Sequence, residues 1–314
     1  MAVPFSIEEL LRERREGSVR ALIRVIGYAL ARGQKADEVG RFLFDSYRLA
    51  GEFEQQKQCN EADRVHAFMA WHMRLRWGWC DDVRIAADQG AYVLESASAL
   101  NGQAQVLGFH GISRLDVENC LEQFWQNAAA AVGLEATYTI GEDRDWTVIR
   151  TPAGAALALD RPEFPMFTPQ SLAEHRRLQL ATWISASVGF AKHCGDESED
   201  FGHYFYTVWD RSGHYDRLRN RWGYGNALAY AQSLVLSRQV LYRATELGED
   251  LDGYTVSSPS WATEIPHALG TFGTLPDDIY RYYEGGGVPA CAKLGLQYAD
   301  QSDDRTHRVW VRAR

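Results

Sequence analysis

No apolar run in this 314-residue chain approaches the roughly 20 residues a membrane-spanning helix needs, so it reads as a soluble protein. Its opening residues, with Glu8, Glu9, Arg12, Glu13, Arg14 and Arg15 close together, lack the apolar core of a secretion signal, which makes the cytoplasm the expected location. Cysteine is scarce and odd in number. The five, at 59, 80, 120, 194 and 291, show no CxxC spacing, which argues against a disulfide framework and against a zinc module. Positive charge is in deficit: 33 Lys and Arg against 42 Asp and Glu give a net charge of −9. Such a chain has no general means of neutralising phosphates, so no nucleic-acid partner is expected. Missing too are GxxxxGK[ST], GxGxxG after a strand, HExxH, the spaced aspartates of an EF-hand and GxSxG. No metal and no other cofactor is therefore expected.

Proline is absent between Phe5 and Thr151, which suits a compact, mostly helical unit. Four of the nine prolines, Pro152, Pro162, Pro165 and Pro169, crowd into one stretch that reads as a stiff linker over 152–169. The chain on its two sides is similar. A shift of 162 residues lays 19–151 over 181–313 without a gap, placing Gly40 on Gly202, Gly51 on Gly213 and Arg76 on Arg238. The same shift places Tyr92, Ser96 and Ser98 on Tyr254, Ser258 and Ser260, Asp116 on Asp278, and Gly133 on Gly295. The expected architecture is α+β, a tandem duplication of one domain, with copies at 1–151 and 170–314 and an N-terminal extension at 1–18. A fused pair of this kind descends most simply from a homodimer, so an internal pseudo-dimer in a pseudo-two-fold arrangement is expected.

Within each copy the spacing predicts about three N-terminal helices, then a small antiparallel sheet with one packed helix. Helices are expected over Val19–Ala31, from Asp37, and from Ala62 to about Arg76 with an extension toward Gln89; the counterpart of the last runs from Ala227 to Arg238 and on toward Leu247. Strands are expected at 92–98, 103–109, 134–140 and 146–151, and a helix over 116–131. The recurring Arg76 and Arg238 suggest a structural ion pair, with Glu122 and Glu284 as candidate partners.

Positions the shared fold needs should stay alike in both copies, so mismatches point to acquired chemistry. The largest sets Gln123-Phe124-Trp125 against Gly285-Gly286-Gly287, with Pro289 and Cys291 following, the latter opposite Ala129. Three interior glycines cost roughly 1 kcal/mol each and an interior proline about 3, which predicts a helix break there. A helix restarting at Pro289 would leave Gly285, Gly286 and Gly287 as anion-binding amides and lower the pKa of the Cys291 thiol. Histidines form the second set: His203 opposes Arg41, His214 opposes Glu52, His267 opposes Gln105, and each is a candidate base. Placed on one helix, His203 and His214 would lie about 16 Å apart, too far to share a metal. Tyr204, Tyr206 and Trp209 offer apolar bodies with polar tips for a flat ligand, and Arg74, opposite Leu236, a fork for a carboxylate.

This equipment fits a cofactor-independent hydrolase or group transferase acting on a small carboxylate-bearing or anionic molecule, in a pocket of the second copy or between the copies. Cys291 would be nucleophile and His203, His214 or His267 the base. The alternative is a non-catalytic small-molecule sensor, or an acidic protein that binds and inhibits another.

Overall fold

The computed structural model describes residues 5–59, 61–88, 91–150 and 165–314. The chain forms α1 (Ile7–Ala31), α2 (Ala36–Leu49), α3 (Glu54–Lys57), α4 (Glu61–Trp79), β1 (Arg84–Asp88), β2 (Ala91–Ala97), α5 (Ala104–His110), α6 (Arg114–Ala131), β3 (Glu135–Ile140) and β4 (Arg144–Arg150). It continues through α7 (Pro169–His193), α8 (Ser198–Arg211), α9 (His214–Trp222), α10 (Ala227–Leu241), β5 (Glu246–Asp250), β6 (Gly253–Pro259), α11 (Trp261–Glu264), α12 (Pro266–Phe272), α13 (Pro276–Leu294), β7 (Leu296–Asp300) and β8 (Thr306–Ala313). The class is α+β. Each of the two sheets has four antiparallel strands, in the order β1-β2-β4-β3 in one and β5-β6-β8-β7 in the other.

Two compact units emerge: Arg15–Gln179 is one, and Leu180–Arg314 together with the chain up to Arg14 is the other. The cuts fall inside α1 and inside α7, so each long helix begins in one unit and ends in the other. An arginine near the start of each explains why. In the first unit Arg176 Nε donates to Trp77 O at 3.1 Å and its Nη2 to Cys80 O at 2.7 Å, satisfying carbonyls at the end of α4. In the second, Arg14 Nη2 donates to Gln239 O at 3.3 Å and its Nε to Val240 O at 2.8 Å, at the end of α10. Most of the expected N-terminal extension is helical, since α1 starts at Ile7, and its residues up to Arg14 group with the second unit.

In the first unit the core follows from the spacing. Ala36, Val39, Gly40, Leu43 and Ser46 make the buried stripe of α2. That stripe packs on α6, whose Val117, Cys120, Leu121, Phe124, Trp125, Ala128 and Ala129 are buried. Helix α6 starts at a capping box in which Asp116 N donates to Ser113 Oγ at 3.2 Å and Ser113 N to Asp116 Oδ2 at 2.7 Å. Strands alternate as a half-buried sheet requires, with Tyr92, Leu94 and Ser96 inward on β2 and Asp145, Thr147 and Ile149 inward on β4.

Three sequence expectations need correction. Residues 104–110 form helix α5, because Gly111, at φ 65°, is the left-handed residue that ends a helix and no strand precedes it. The outer strand is instead β1, where an extension of α4 was expected, and its counterpart β5 replaces the expected extension of α10. Pro169 opens α7, a place where its missing N–H costs nothing, and most of the expected linker, 151–164, lies outside the described residues.

Candidate functional site

Where α2 meets α6 and where α8 meets α13, one glycine each lets backbones touch. A Cβ on Gly40 would sit 2.1 Å from Cys120 O, and one on Gly202 2.1 Å from Tyr282 O, so neither position tolerates a side chain. In the second unit the contact runs further along the helix. Gly285 faces Glu199 O, where a Cβ would stand at 2.3 Å, and Gly287 lies against the Tyr298 ring, where a Cβ would stand at 2.9 Å. The three glycines therefore serve close packing of α13 on α8 and on its sheet. They do not break the helix: α13 runs unbroken from Pro276 to Leu294 with Pro289 inside it. No helix N-terminus lies behind Gly285, Gly286 and Gly287, and the anion cradle expected there is not formed.

Cys291 is buried in that helix among Tyr215, Tyr230, Ala290, Leu294, Leu296 and Val311, with the His214 ring 5.4 Å from that of Tyr215. Burial pushes its thiol up to about 12, against a smaller opposing effect of the hydrogen bond with Tyr230. Tyr206 and Trp209 are partly buried and pack against the same cluster. Tyr204 is half-buried, and burial raises its phenol.

The histidines are dispersed. His203 lies exposed on α8, with its ring 6.0 Å from that of Tyr206. Gly213, at φ 71°, ends that helix, so His214 belongs to α9 and the two do not share one helix as expected. Burial, then Arg217, pushes His214 down to about 4. His267 is exposed on α12. Arg74 is exposed on α4 of the first unit, where its carbonyl meets His175 Nε2 at 2.6 Å. Among the described residues no three His, Cys, Asp or Glu are grouped to hold a metal ion, and no helix is long and apolar enough to cross a membrane.

What the fold does open is a groove of about 470 Å³ in the first unit, lined by Leu30 and Gln34 at the end of α1, by Lys35, Ala36 and Asp37 at the start of α2, and by one side of α6. That side contributes Asp116, Asn119, Glu122, Gln123 and Gln126. Its size falls in the range of small-molecule sites. Asp37 pairs with Arg41 at 3.0 Å, and Glu122 accepts from Gln126 Nε2 at 3.0 Å. Asp116 spends Oδ2 on Ser113 and has no cationic partner among the described residues. The expected pocket lay in the second half of the chain or between the halves, whereas this groove is lined by residues 30–37 and 116–126 of the first, where no residue type stood out in the sequence.

No protein-family model, curated protein or solved structure matches this chain. Its chemistry is read from its own geometry.

Buried polar networks sit behind both sheets. Arg76 is fully buried and donates to Ser96 Oγ and to Asp145 O, the latter at 3.2 Å; Glu122 is not its partner. Arg238 likewise donates to Val256 O and His307 O, both at 2.8 Å, rather than to Glu284. His307 replaces Asp145 and is clasped between the Tyr280 and Tyr283 rings at 4.7 and 5.3 Å. Because Arg238 Nη2, 2.9 Å away, only donates, His307 Nε2 must accept, which leaves the proton on Nδ1 facing the Tyr242 hydroxyl. His72 stacks on Trp125 at 3.6 Å. Burial first, then the neighbouring arginine, drives both His72 and His307 well below the ordinary histidine value.

A pH dependence follows. The unfolded chain binds protons below about pH 6.5 that these two rings refuse when folded, so their contribution is intact above that pH and lost as pH falls through it. Each should remove about 1 kcal/mol between pH 6.5 and 5.5. His110 and His214, pushed down to about 3 and about 4, refuse protons over the same window, so urea titrations at the two pH values should show a loss of about 4 kcal/mol or more that shrinks by about 1 kcal/mol in His72→Gln; an unchanged loss in that variant would contradict the assignment.

Proposed function

We propose that this protein is a tandem duplication of one α+β domain acting as a non-catalytic binding protein, with a small polar molecule seated in the groove between α1, α2 and α6. Duplication is supported by the displacement of 162 residues that relates α1 to α7, α2 to α8, β1 to β5, β2 to β6, α5 to α12 and β4 to β8 at their first residues. The strand order agrees, as do the Gly40 and Gly202 contacts and the Arg14 and Arg176 helix caps. Exchange of helix beginnings is what a swapped homodimer leaves behind after fusion.

The observation that carries the binding reading is the groove of about 470 Å³, of whose ten lining residues seven are carboxylates or amides. A hydrolase or transferase built on Cys291 would need an accessible thiolate beside a base. That thiol is buried in an apolar cluster and is pushed up to about 12.

Thermal unfolding with a panel of small cations, anions and neutral polyols tests the proposal. A ligand at a hundredfold its Kd stabilises by about 2.7 kcal/mol, an upward Tm shift of several degrees without turnover. In parallel, native Cys291 should be alkylated at pH 7.5 at least about a hundredfold more slowly than a model thiol, and at the ordinary rate once unfolded. Rapid native alkylation, with loss of a detected turnover in Cys291→Ala, would return the protein to the enzymes.

A further inference from the structure

We infer that the groove's ligand carries a primary ammonium group on a linear aliphatic chain, as a di- or polyamine does, and that this ammonium seats on the Asp116 carboxylate. The inference rests on the binding reading above and specifies its ligand.

The argument comes from the equivalent place in the second unit. There Asp278, the counterpart of Asp116, also holds the first turn of its helix through the Leu275 amide at 2.8 Å. It has an ammonium as well: Lys192 Nζ, from the last turn of α7, donates to Asp278 Oδ2 at 2.6 Å, and Ser198 Oγ donates to Asp278 Oδ1 at 3.4 Å. One lysine thus spans from α7 to α13. In the first unit the lysine is Leu30 and the serine is Ala36, so the same carboxylate faces the groove without either donor. The last turn of α1 contains no basic residue, where α7 offers Lys192 and His193 to the carbonyl end of the helix. A site that is completed by a lysine in one unit is left to be completed from outside in the other.

The rest of the lining suits the same chemistry. Glu122 lies six residues along α6 from Asp116, about 9 Å on the helix axis, within reach of a second ammonium on an extended chain. Asn119, Gln123 and Gln126 replace Arg281, Gly285 and Val288, which adds amide acceptors and removes a cation. Leu30 supplies apolar surface for the methylenes. Lys35, exposed at the N-cap of α2, is the one cation on the rim, against three carboxylates.

Isothermal titration of the full chain with spermidine, with cadaverine, with a neutral diol and with succinate tests this, alongside two variants. Leu30→Lys supplies the lysine of the second unit and should abolish spermidine binding. Asp116→Asn keeps the helix cap but removes the charge and should weaken binding about fivefold. Both variants should unfold within a few degrees of the parent, which separates a lost site from a lost fold. Spermidine binding that survives Leu30→Lys overturns the inference. So does a diol or succinate that binds in a Leu30→Lys-sensitive way while amines do not, an outcome that leaves the binding reading standing. If no compound binds at all, both readings fall.

Discussion

Gly40→Ala should be among the most damaging single substitutions in this protein, costing about 3 kcal/mol or more. The added methyl would stand 2.1 Å from the Cys120 carbonyl oxygen and 3.2 Å from Gln123 Cβ, and the first of these is backbone inside a packed helix. No rotamer relieves it, so α2 and α6 must separate, and the buried stripe of α2 loses its fit against the buried face of α6. Gly202→Ala should behave alike, with its methyl 2.1 Å from Tyr282 O and 2.9 Å from Gly286 N. The control is Gly108→Ala: Gly108 lies within α5, is exposed, and has nothing within 4 Å of its hypothetical Cβ. There the helix propensity of alanine should stabilise by up to about 1 kcal/mol. Denaturant midpoints for the three variants decide the matter. A Gly40→Ala protein as stable as the Gly108→Ala protein would mean that the close approach of α2 and α6 is wrong.

Arg76→Met is the second large effect. The guanidinium is fully buried beside the equally buried carboxylate of Asp145, whose Oδ2 accepts from Ala99 N at 2.9 Å and from the Tyr138 hydroxyl at 3.4 Å. Burial opposes the guanidinium's charge, but Cys80, Tyr138 and Asp145 outweigh it, and the net displacement of its pKa is upward. Removing it alone strands a negative charge in the core, at a cost of about 3 to 5 kcal/mol. The paired change Arg76→Met with Asp145→Asn should recover a large part of that cost, because the stranded charge goes with the second substitution. A double-mutant cycle by urea unfolding measures the recovery; strict additivity would show that the two groups do not act together. Arg238→Met should be milder, since the residue it donates to is the neutral His307 and the nearest carboxylate, Asp300, lies beyond that ring, 3.9 Å from His307 Nε2.

Much of the fold was legible because it is local. The helical spacing along α2 and the alternation along β2 are each written within a few residues. What misled was also local reasoning. Gly285, Gly286, Gly287 and Pro289 disfavour a helix by propensity alone, yet α13 is continuous, because Glu199 and Gly202 of α8 press so near that only glycine fits. Tertiary packing outweighs a propensity deficit of a few kcal/mol when the contact is long. The same packing buries Cys291, so the residue that looked most reactive is held as a neutral thiol.

By itself the amino-acid order determined the α+β class and which face of α2 is apolar, since periodicity depends on neighbours along the chain. Only the tertiary structure decided that the beginnings of α1 and α7 pack into exchanged units, that the glycines serve helix contact, and that the first unit holds the open groove. Each of these is a matter of which distant backbone comes near a side chain. Lys192 and Leu30 are ordinary residues in their own helices, and the difference between them appears only when Asp278 and Asp116 stand across the gap.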